Sequence, residues 1–336
     1  MAPVHLLDFS STIPEARAFD EAVAHLRAGG LLAFPTETVY GLGAHALDEA
    51  AVAGIFRAKG RPASNPLIVH VASVEAAQAL VTTWPAAAQR LADAFWPGPL
   101  TLVLPKASHV PDLVTAGLPA VGIRVPGHPL ALALLRQAGV PVAAPSANRY
   151  MDVSPTEASH VQRALATSPE SILLLDGGAC EVGLESTVID LTGELPRVLR
   201  PGGIGIVRLR DCLGEVAELD AQASPGPLPS PGLARRHYAP RAALRLLAQP
   251  EELVRVGAAC EAQGEVVASI RCGSGDSRPP LHHVLPGEPE GYARLLYATL
   301  HALNQTDATI ILVQAPPQTA AWSAVQDRLR RAATTL

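Results

Sequence analysis

The 336-residue chain carries a formal net charge of −5, with 48% hydrophobic and 17% charged residues. That balance belongs to a folded protein with room for two cores and excludes a disordered chain. It also excludes a globally basic surface, so nucleic acid is not held non-specifically and RNA contact is left to a weak local patch.

Residues 1 to about 215 alternate apolar strand-like runs with helical patterns. Glu15 to Ala28 reads as a helix, with Phe19, Val23 and Leu26 on one face and Gly29-Gly30 as its stop. Leu31 to Phe34 reads as a strand that ends in the hydroxyl-rich turn Pro35-Thr36-Glu37-Thr38. Asp48 to Ala58 is the next helix, with Asp48 as N-cap and Gly60 just past its end. The intervening Gly41-Leu42-Gly43-Ala44-His45-Ala46 fits a loose G-x-G-x-x-A pattern. It stands six residues beyond the strand, with no acidic residue about 20 positions on, so Rossmann-type dinucleotide binding is not expected from it. No P-loop pattern occurs.

Arg57, Lys59 and Arg61 place three cations within five residues of an acidic chain. They read either as a solvated charge run or as a phosphate site. Arg61-Pro62 and Asn65-Pro66 stiffen the loop, and a stiff loop would preorganise a lysine point charge and an arginine fork for phosphate oxygens. In the strand Leu67 to Val71, His70 shares a face with Ile68, opposite Leu67, Val69 and Val71. Arg124 repeats this geometry in Val121 to Val125, and an arginine inside a strand needs an anion, either a protein carboxylate or a substrate one. Further strands are expected at Leu100 to Leu104, Val140 to Ala144, Ile172 to Leu175, Ser186 to Asp190 and Val198-Leu199, with helices over 86–95, 128–138 and 155–166. Pro145-Ser146-Ala147-Asn148, Ser186-Thr187 and Arg200-Pro201-Gly202-Gly203 add polar groups at strand termini, where small-molecule sites form.

Residues 216–241 change character. Pro225, Pro227, Pro229, Pro231 and Pro240 make a stiff linker that carries Arg235-Arg236-His237-Tyr238. Beyond it, 242–336 reads as a small parallel α/β domain of βαβαβα order: strands at Leu244 to Leu247, Glu265 to Ile270 and Thr309 to Val313, helices over 250–262, 291–303 and 319–333. Cys180, Cys212, Cys260 and Cys272 form no C-x-x-C pair, which argues against zinc knuckles and a disulfide framework. No signal peptide or membrane-length apolar run is seen, so a cytoplasmic protein without membrane contact is expected.

Pro35-Thr36-Glu37-Thr38-Val39-Tyr40-Gly41-Leu42, Lys59-Gly60-Arg61-Pro62, Asn65-Pro66-Leu67, Pro145-Ser146-Ala147-Asn148, Glu185-Ser186-Thr187-Val188 and Leu199-Arg200-Pro201-Gly202 together resemble the YrdC-type domain of threonylcarbamoyl-AMP synthases. Ser230-Pro231-Gly232 leading into His237-Tyr238-Ala239-Pro240 is similar to the linker of the longer, two-domain members, although the run before it, Leu233-Ala234-Arg235-Arg236, departs from the usual aromatic or lysine.

The resemblance implies a twisted mixed sheet with a concave cavity, followed by a smaller Rossmann-like parallel domain. It implies an adenylate-forming enzyme, a nucleotidyltransferase, that takes L-threonine, bicarbonate and ATP with Mg²⁺ and needs neither a protein nucleophile nor a resident metal. Its product would pass to a separate tRNA threonylcarbamoyl transferase complex. Carried onto this sequence, Lys59 and Arg61 are the expected catalytic and phosphate-binding residues. Asn65, Ser146, Asn148, Arg200 and Tyr238 would complete the ATP site, with Tyr238 closing the cavity. Thr36, His70, Arg124 and Ser186 would surround threonine, with Arg124 on its carboxylate. The rival readings are a double-stranded RNA-binding module and a carbamoyl-adenylate-forming carbamoyltransferase.

Overall fold

The computed structural model describes residues 4–8, 16–218 and 237–334. Most of the expected linker, 219–236, including Pro225, Pro227, Pro229, Pro231, Arg235 and Arg236, lies outside the described residues. The first unit is built on a mixed 11-stranded sheet in the order Val4–Asp8, Ile172–Asp176, Leu31–Phe34, Gly41–His45, Val142–Ala143, Ile68–His70, Ala120–Arg124, Leu100–Pro105, Thr187–Asp190, Arg197–Arg200 and Ala217–Glu218. Parallel and antiparallel pairs are mixed along it, as in Ile68–His70 parallel to Ala120–Arg124 but antiparallel to Val142–Ala143.

Strand alternation sorts the core. Leu31 and Ala33 pack on one face with Tyr40, Ile55 and the helix Glu49–Lys59. Leu32 and Phe34 pack on the other with the helices Ala16–Arg27 and Pro129–Ala138. Asp48 caps Glu49–Lys59 by accepting from the Ala50 and Ala51 amides, and Gly60 ends it at φ 62°, as the capping residues predict.

Several elements differ from the sequence reading. Gly41–His45, where the sequence predicts no strand, is a strand paired antiparallel to Leu31–Phe34. Its glycines hid it, because Gly is a poor strand former. Here Gly43 is required by close approach: a Cβ would lie 2.8 Å from both Phe34 Cε1 and Val142 Cγ1. The G-x-G pattern thus answers to strand packing, consistent with the absence of a dinucleotide fingerprint. The expected strand 140–144 shrinks to Val142–Ala143, because Pro141 and Pro145 on either side have no N–H to give the ladder and only accept, from Ala46 and Leu42. In the C-terminal unit a further strand, His282–Leu285, completes a parallel sheet of order Ala243–Leu247, Ile310–Gln314, Val267–Cys272, His282–Leu285.

The two units share a core. Val39, Val153 and Leu184 from the first and Tyr238 from the segment that joins the two pack with Tyr292, Leu296, Tyr297 and Leu300 of the helix Pro289–Leu303. Beside this seam the rings of His160 and His301 stack at 3.8 Å, and a His301 ring nitrogen meets the Ser154 carbonyl at 3.1 Å. Burial, joined by the facing His301 and then Arg163, pushes His160 down to about 3, and burial with Arg163 takes His301 to about 4. Both rings are therefore neutral in the fold and gain protons on unfolding once the pH drops below the ordinary value of 6.5. Their contribution to stability is complete above that pH and is lost as the pH falls toward 3. The melting temperature is expected to drop on acidification from pH 7 to 4.5. A His160→Phe/His301→Phe variant, which keeps the ring stack, should show a shallower dependence; an unchanged slope would remove the pair from the explanation.

Candidate functional site

The strand-end motifs converge. A cleft opens where the 35–40 turn, the strands Ile68–His70 and Ala120–Arg124, the 144–146 segment, the 185–186 segment and Arg200 meet. Of the residues singled out in the sequence, Thr36, Arg61, His70, Arg124, Ser146, Ser186, Arg200 and Tyr238 line it. Lys59, Asn65 and Asn148 stand behind the wall.

The turn after Phe34 is self-supporting. The Thr36 hydroxyl donates to the Val39 carbonyl at 2.6 Å and accepts from the amides of Thr38 and Val39 at 3.2 Å. This arrangement presents Thr38, whose hydroxyl accepts from Arg124 Nη1 at 2.9 Å. Arg124 Nε donates to the Gly98 carbonyl at 3.1 Å, and Nη2 lies 2.7 Å from Glu37. The anion that Arg124 required is thus a protein carboxylate in this structure. The contact is one of charge without hydrogen-bond geometry, since Arg124 Nη2 and both Glu37 oxygens have no hydrogen-bond partner in the protein.

His70 stands edge-on to Phe34 at 6.1 Å with its Nδ1 unpartnered. Burial first and Arg124 second hold it down at about 3, so the ring is neutral at physiological pH. The site therefore offers polar atoms without protein hydrogen-bond partners beside a cation, an arrangement that calls for a further partner such as water, an ion or a ligand.

The cations behave unequally. Arg57 points outward to Glu170 at 2.5 Å and takes no part, so the three-cation cluster divides. Arg61 is held by the Pro66 carbonyl at 2.9 Å and the Asn65 carbonyl at 3.3 Å, and its guanidinium lies 5.9 Å from the Tyr150 ring centre. Burial lowers Arg61 to about 10, which leaves it charged. Lys59, only 2% exposed, donates to the carbonyls of Ser146 (2.5 Å) and Asn148. Burial, then Arg61, pushes it well below the ordinary lysine value. Lys59 fixes the 146–148 loop in this structure rather than facing the cavity. Asn148 serves the same loop, donating to the carbonyls of Arg149 and Asp152 at 2.8 Å.

On the opposite wall Ser186 Oγ lies 2.8 Å from Thr101 Oγ1, and Arg200 clamps the segment by donating to the Ser186 carbonyl at 2.9 Å. Tyr238 is buried at φ 59°, stacks on Tyr297 at 5.7 Å, and leaves its hydroxyl unpartnered. His237 packs 4.0 Å from it, lowered to about 3 chiefly by burial.

Sequence reasoning passed over two carboxylates inside motifs it had quoted, Glu37 and Glu185. Glu185 accepts from Ser154 at 2.6 Å, from Tyr297 at 3.1 Å and from Arg328 at 2.6 Å. Burial pushes its carboxyl up, but Arg328, Arg200 and the Ser154 hydroxyl overcome this and hold it down at about 2. Arg328 carried no signal at all, because a basic residue near the end of an amphipathic helix reads as surface.

Two family models match this architecture: one described as telomere recombination, of the Sua5, YciO and YrdC proteins, over residues 24–202, and the threonylcarbamoyl-AMP synthase C-terminal domain over 204–334. The chain is 43% identical over 318 residues to the threonylcarbamoyl-AMP synthase of Pyrococcus abyssi, covering 93% of this chain and 92% of that protein. It is 39% identical over 328 residues to that of Bacillus subtilis, with the same coverage. The fold superposes on the structure of P. abyssi Sua5 complexed with L-threonine with a TM-score of 0.90 at 40% identity, over 98% of this chain and 97% of that one. On Escherichia coli YciO the TM-score is 0.51 at 25% identity, over 60% of this chain and 97% of that one. The chain belongs to the Sua5/YrdC family of threonylcarbamoyl-AMP synthases, in the form that carries the additional C-terminal domain.

Proposed function

We propose that this cavity joins L-threonine, bicarbonate and ATP into L-threonylcarbamoyl-adenylate and pyrophosphate. The observation that carries the reading is the set of buried cations Arg61, Arg124 and Arg200 around one cavity that His70 and Tyr238 also line, with His70 Nδ1 and the Tyr238 hydroxyl lacking hydrogen-bond partners in the protein. Threonine's amine adds to the carbon of bicarbonate with loss of water to form a carbamate. A carbamate oxygen then attacks the α-phosphorus, and the bond to the β-phosphate oxygen breaks to release pyrophosphate. No step calls on a protein nucleophile. The chain supplies position and charge, which suffice for phosphoryl chemistry when the donors are preorganised.

In this reading Arg61 and Arg200 take phosphate charge, with Ser146 beside them, while Lys59, Asn65 and Asn148 hold the loops that shape the nucleotide site. Arg124 exchanges Glu37 for the threonine carboxylate, and Thr36, His70 and Ser186 complete that pocket. Tyr238 covers the products, a labile mixed anhydride among them, against water. Magnesium would accompany ATP and neutralise triphosphate charge. Among the described residues no group of three His, Cys, Asp or Glu side chains is placed to hold a metal. The adenylate then goes to a separate transferase complex that modifies the adenosine beside the tRNA anticodon, a role in the cytoplasm. Among the described residues no helix is long and apolar enough to cross a membrane.

Pyrophosphate release from magnesium-ATP is expected only when L-threonine and bicarbonate are both present. Release that ignores threonine would favour the carbamoyltransferase, and RNA binding without release would favour the RNA module. Arg124→Ala is expected to raise the threonine KM by about 10- to 100-fold, the loss of one charged hydrogen bond, with little change in the KM for ATP. An equal rise in both constants would displace Arg124 from the threonine pocket.

A further inference from the structure

Arg328 lies on the helix Ser323–Ala332, near the end of the C-terminal unit, yet its side chain is wholly buried against the first unit. Its Nε donates to Glu185 at 2.6 Å, its Nη2 to the Pro201 carbonyl at 3.0 Å and its Nη1 to Asp327 at 2.6 Å. One planar guanidinium therefore ties together two segments of the cavity wall, 185–187 and 200–202. These segments are already interlocked. Arg200 donates to the Ser186 carbonyl, and Gly202 passes so close that a Cβ there would sit 2.3 Å from the Glu185 carbonyl oxygen.

We propose that Arg328 is a positioning residue for the synthase reaction, through which the C-terminal unit fixes Glu185 and the Arg200–Pro201 turn on the cavity wall; this rests on the function proposed above. Stability alone does not call for such a residue. Two well-packed apolar side chains commonly serve a buried seam as well as an ion pair does, because desolvation consumes most of the Coulomb gain. What the guanidinium supplies is direction: a rigid fork sets both acceptors at once, which a lysine point charge cannot do. Glu185 itself lines the cavity and Pro201 follows Arg200, which also does, so an error in Arg328 becomes an error in the position of Ser186 and Arg200.

Glu185 is faced by Arg328 and Tyr297 from the C-terminal unit, by Arg200 and Ser154 from the first, and by His237 and Tyr238 from the segment that joins them. With Arg328 present its carboxyl stays ionised through the working range. Without Arg328 the burial that pushes it up is opposed mainly by Arg200 and Ser154, so the carboxyl protonates at a higher pH and is restored by alkali.

The test is the pH profile of threonine-dependent pyrophosphate release for wild type, Arg328→Met and Arg328→Lys, each checked for folding by its melting temperature. Arg328→Met is expected to lose about 100-fold in kcat/KM at pH 6.5, the scale of a roughly 1 Å misplacement, and to regain at least about tenfold by pH 9. Arg328→Lys keeps the charge but not the fork, and is expected to lose about tenfold with an unshifted profile. If Arg328→Met fails to fold, Arg328→Lys decides alone. Activity within twofold of wild type in a folded variant, or an Arg328→Met loss equally deep at every pH, would overturn the proposal. A wild type that shows no threonine-dependent release would overturn the proposed function and this inference with it, whereas an active wild type with unaffected variants would overturn the role of Arg328 alone.

Discussion

Glu185 is the charge on which the seam and the cavity both depend. Arg200 and Arg328 are both buried near it; burial and the facing Arg328 lower Arg200, whereas Tyr238, Glu185 and Tyr297 raise Arg328 against its own burial, and the single carboxylate, aided by the Ser154 hydroxyl and Tyr297, makes that crowding tolerable. A buried ion that loses its partner costs several kcal/mol, so the two domains cannot separate here without leaving an arginine and a carboxylate to be solvated independently. The same residue lines the cavity. Domain docking and site geometry thus share one set of atoms.

Charge is distributed against the grain of the molecule. The chain is acidic overall, yet Arg61, Arg124 and Arg200 line one cavity, with Lys59 buried behind it. A positive interior in a negative protein gives a short-range field: it attracts phosphate at the cavity mouth without drawing polyanions to the whole surface. Within a water-poor enclosure each of these charges acts more strongly than it would in solvent. The site spends this advantage on held positions, with carbonyls fixing Arg61, Arg200 and Lys59 so that little side-chain freedom remains to be lost on binding.

The parts legible in the sequence were those set by local patterns. The helix Glu49–Lys59 announced itself through Asp48 and Gly60, and Ile68–His70 and Ala120–Arg124 through alternation that isolates His70 and Arg124 on one face. Convergence of the strand-end motifs was also readable, and eight of the residues chosen for it line the cavity. What stayed hidden were matters of direction and distance. The Lys59 ammonium turns back to two carbonyls of its own scaffold, which no spacing rule reveals. Arg124 finds its carboxylate in Glu37, a neighbour of the very threonines that drew notice. Gly41–His45 lost its strand signal because close packing against Phe34 and Val142 demands glycine. Arg328 lies 143 positions from Glu185, and only tertiary packing turns a helix arginine with surface grammar into the least exposed cation among the described residues.

Tyr238 shows why the C-terminal domain sits where it does. A non-glycine residue at φ 59° occupies a region that costs L-residues energy unless its surroundings fix it. Those surroundings are Tyr297 stacked on one side and the Arg328 guanidinium 5.1 Å from the ring centre, both contributed by the C-terminal domain, with His237 at its edge. The ring is held while its hydroxyl keeps no protein partner, and burial keeps that hydroxyl protonated. A protonated phenol beside neutral histidines offers hydrogen-bond donors but no competing nucleophile and no strong base to activate water. For a reaction whose product is a carbamic–phosphoric mixed anhydride, that combination matters more than an additional catalytic group. The walls must bind charge without hydrolysing what they have made, and residues held neutral by burial meet that requirement where exposed, ionised ones would not.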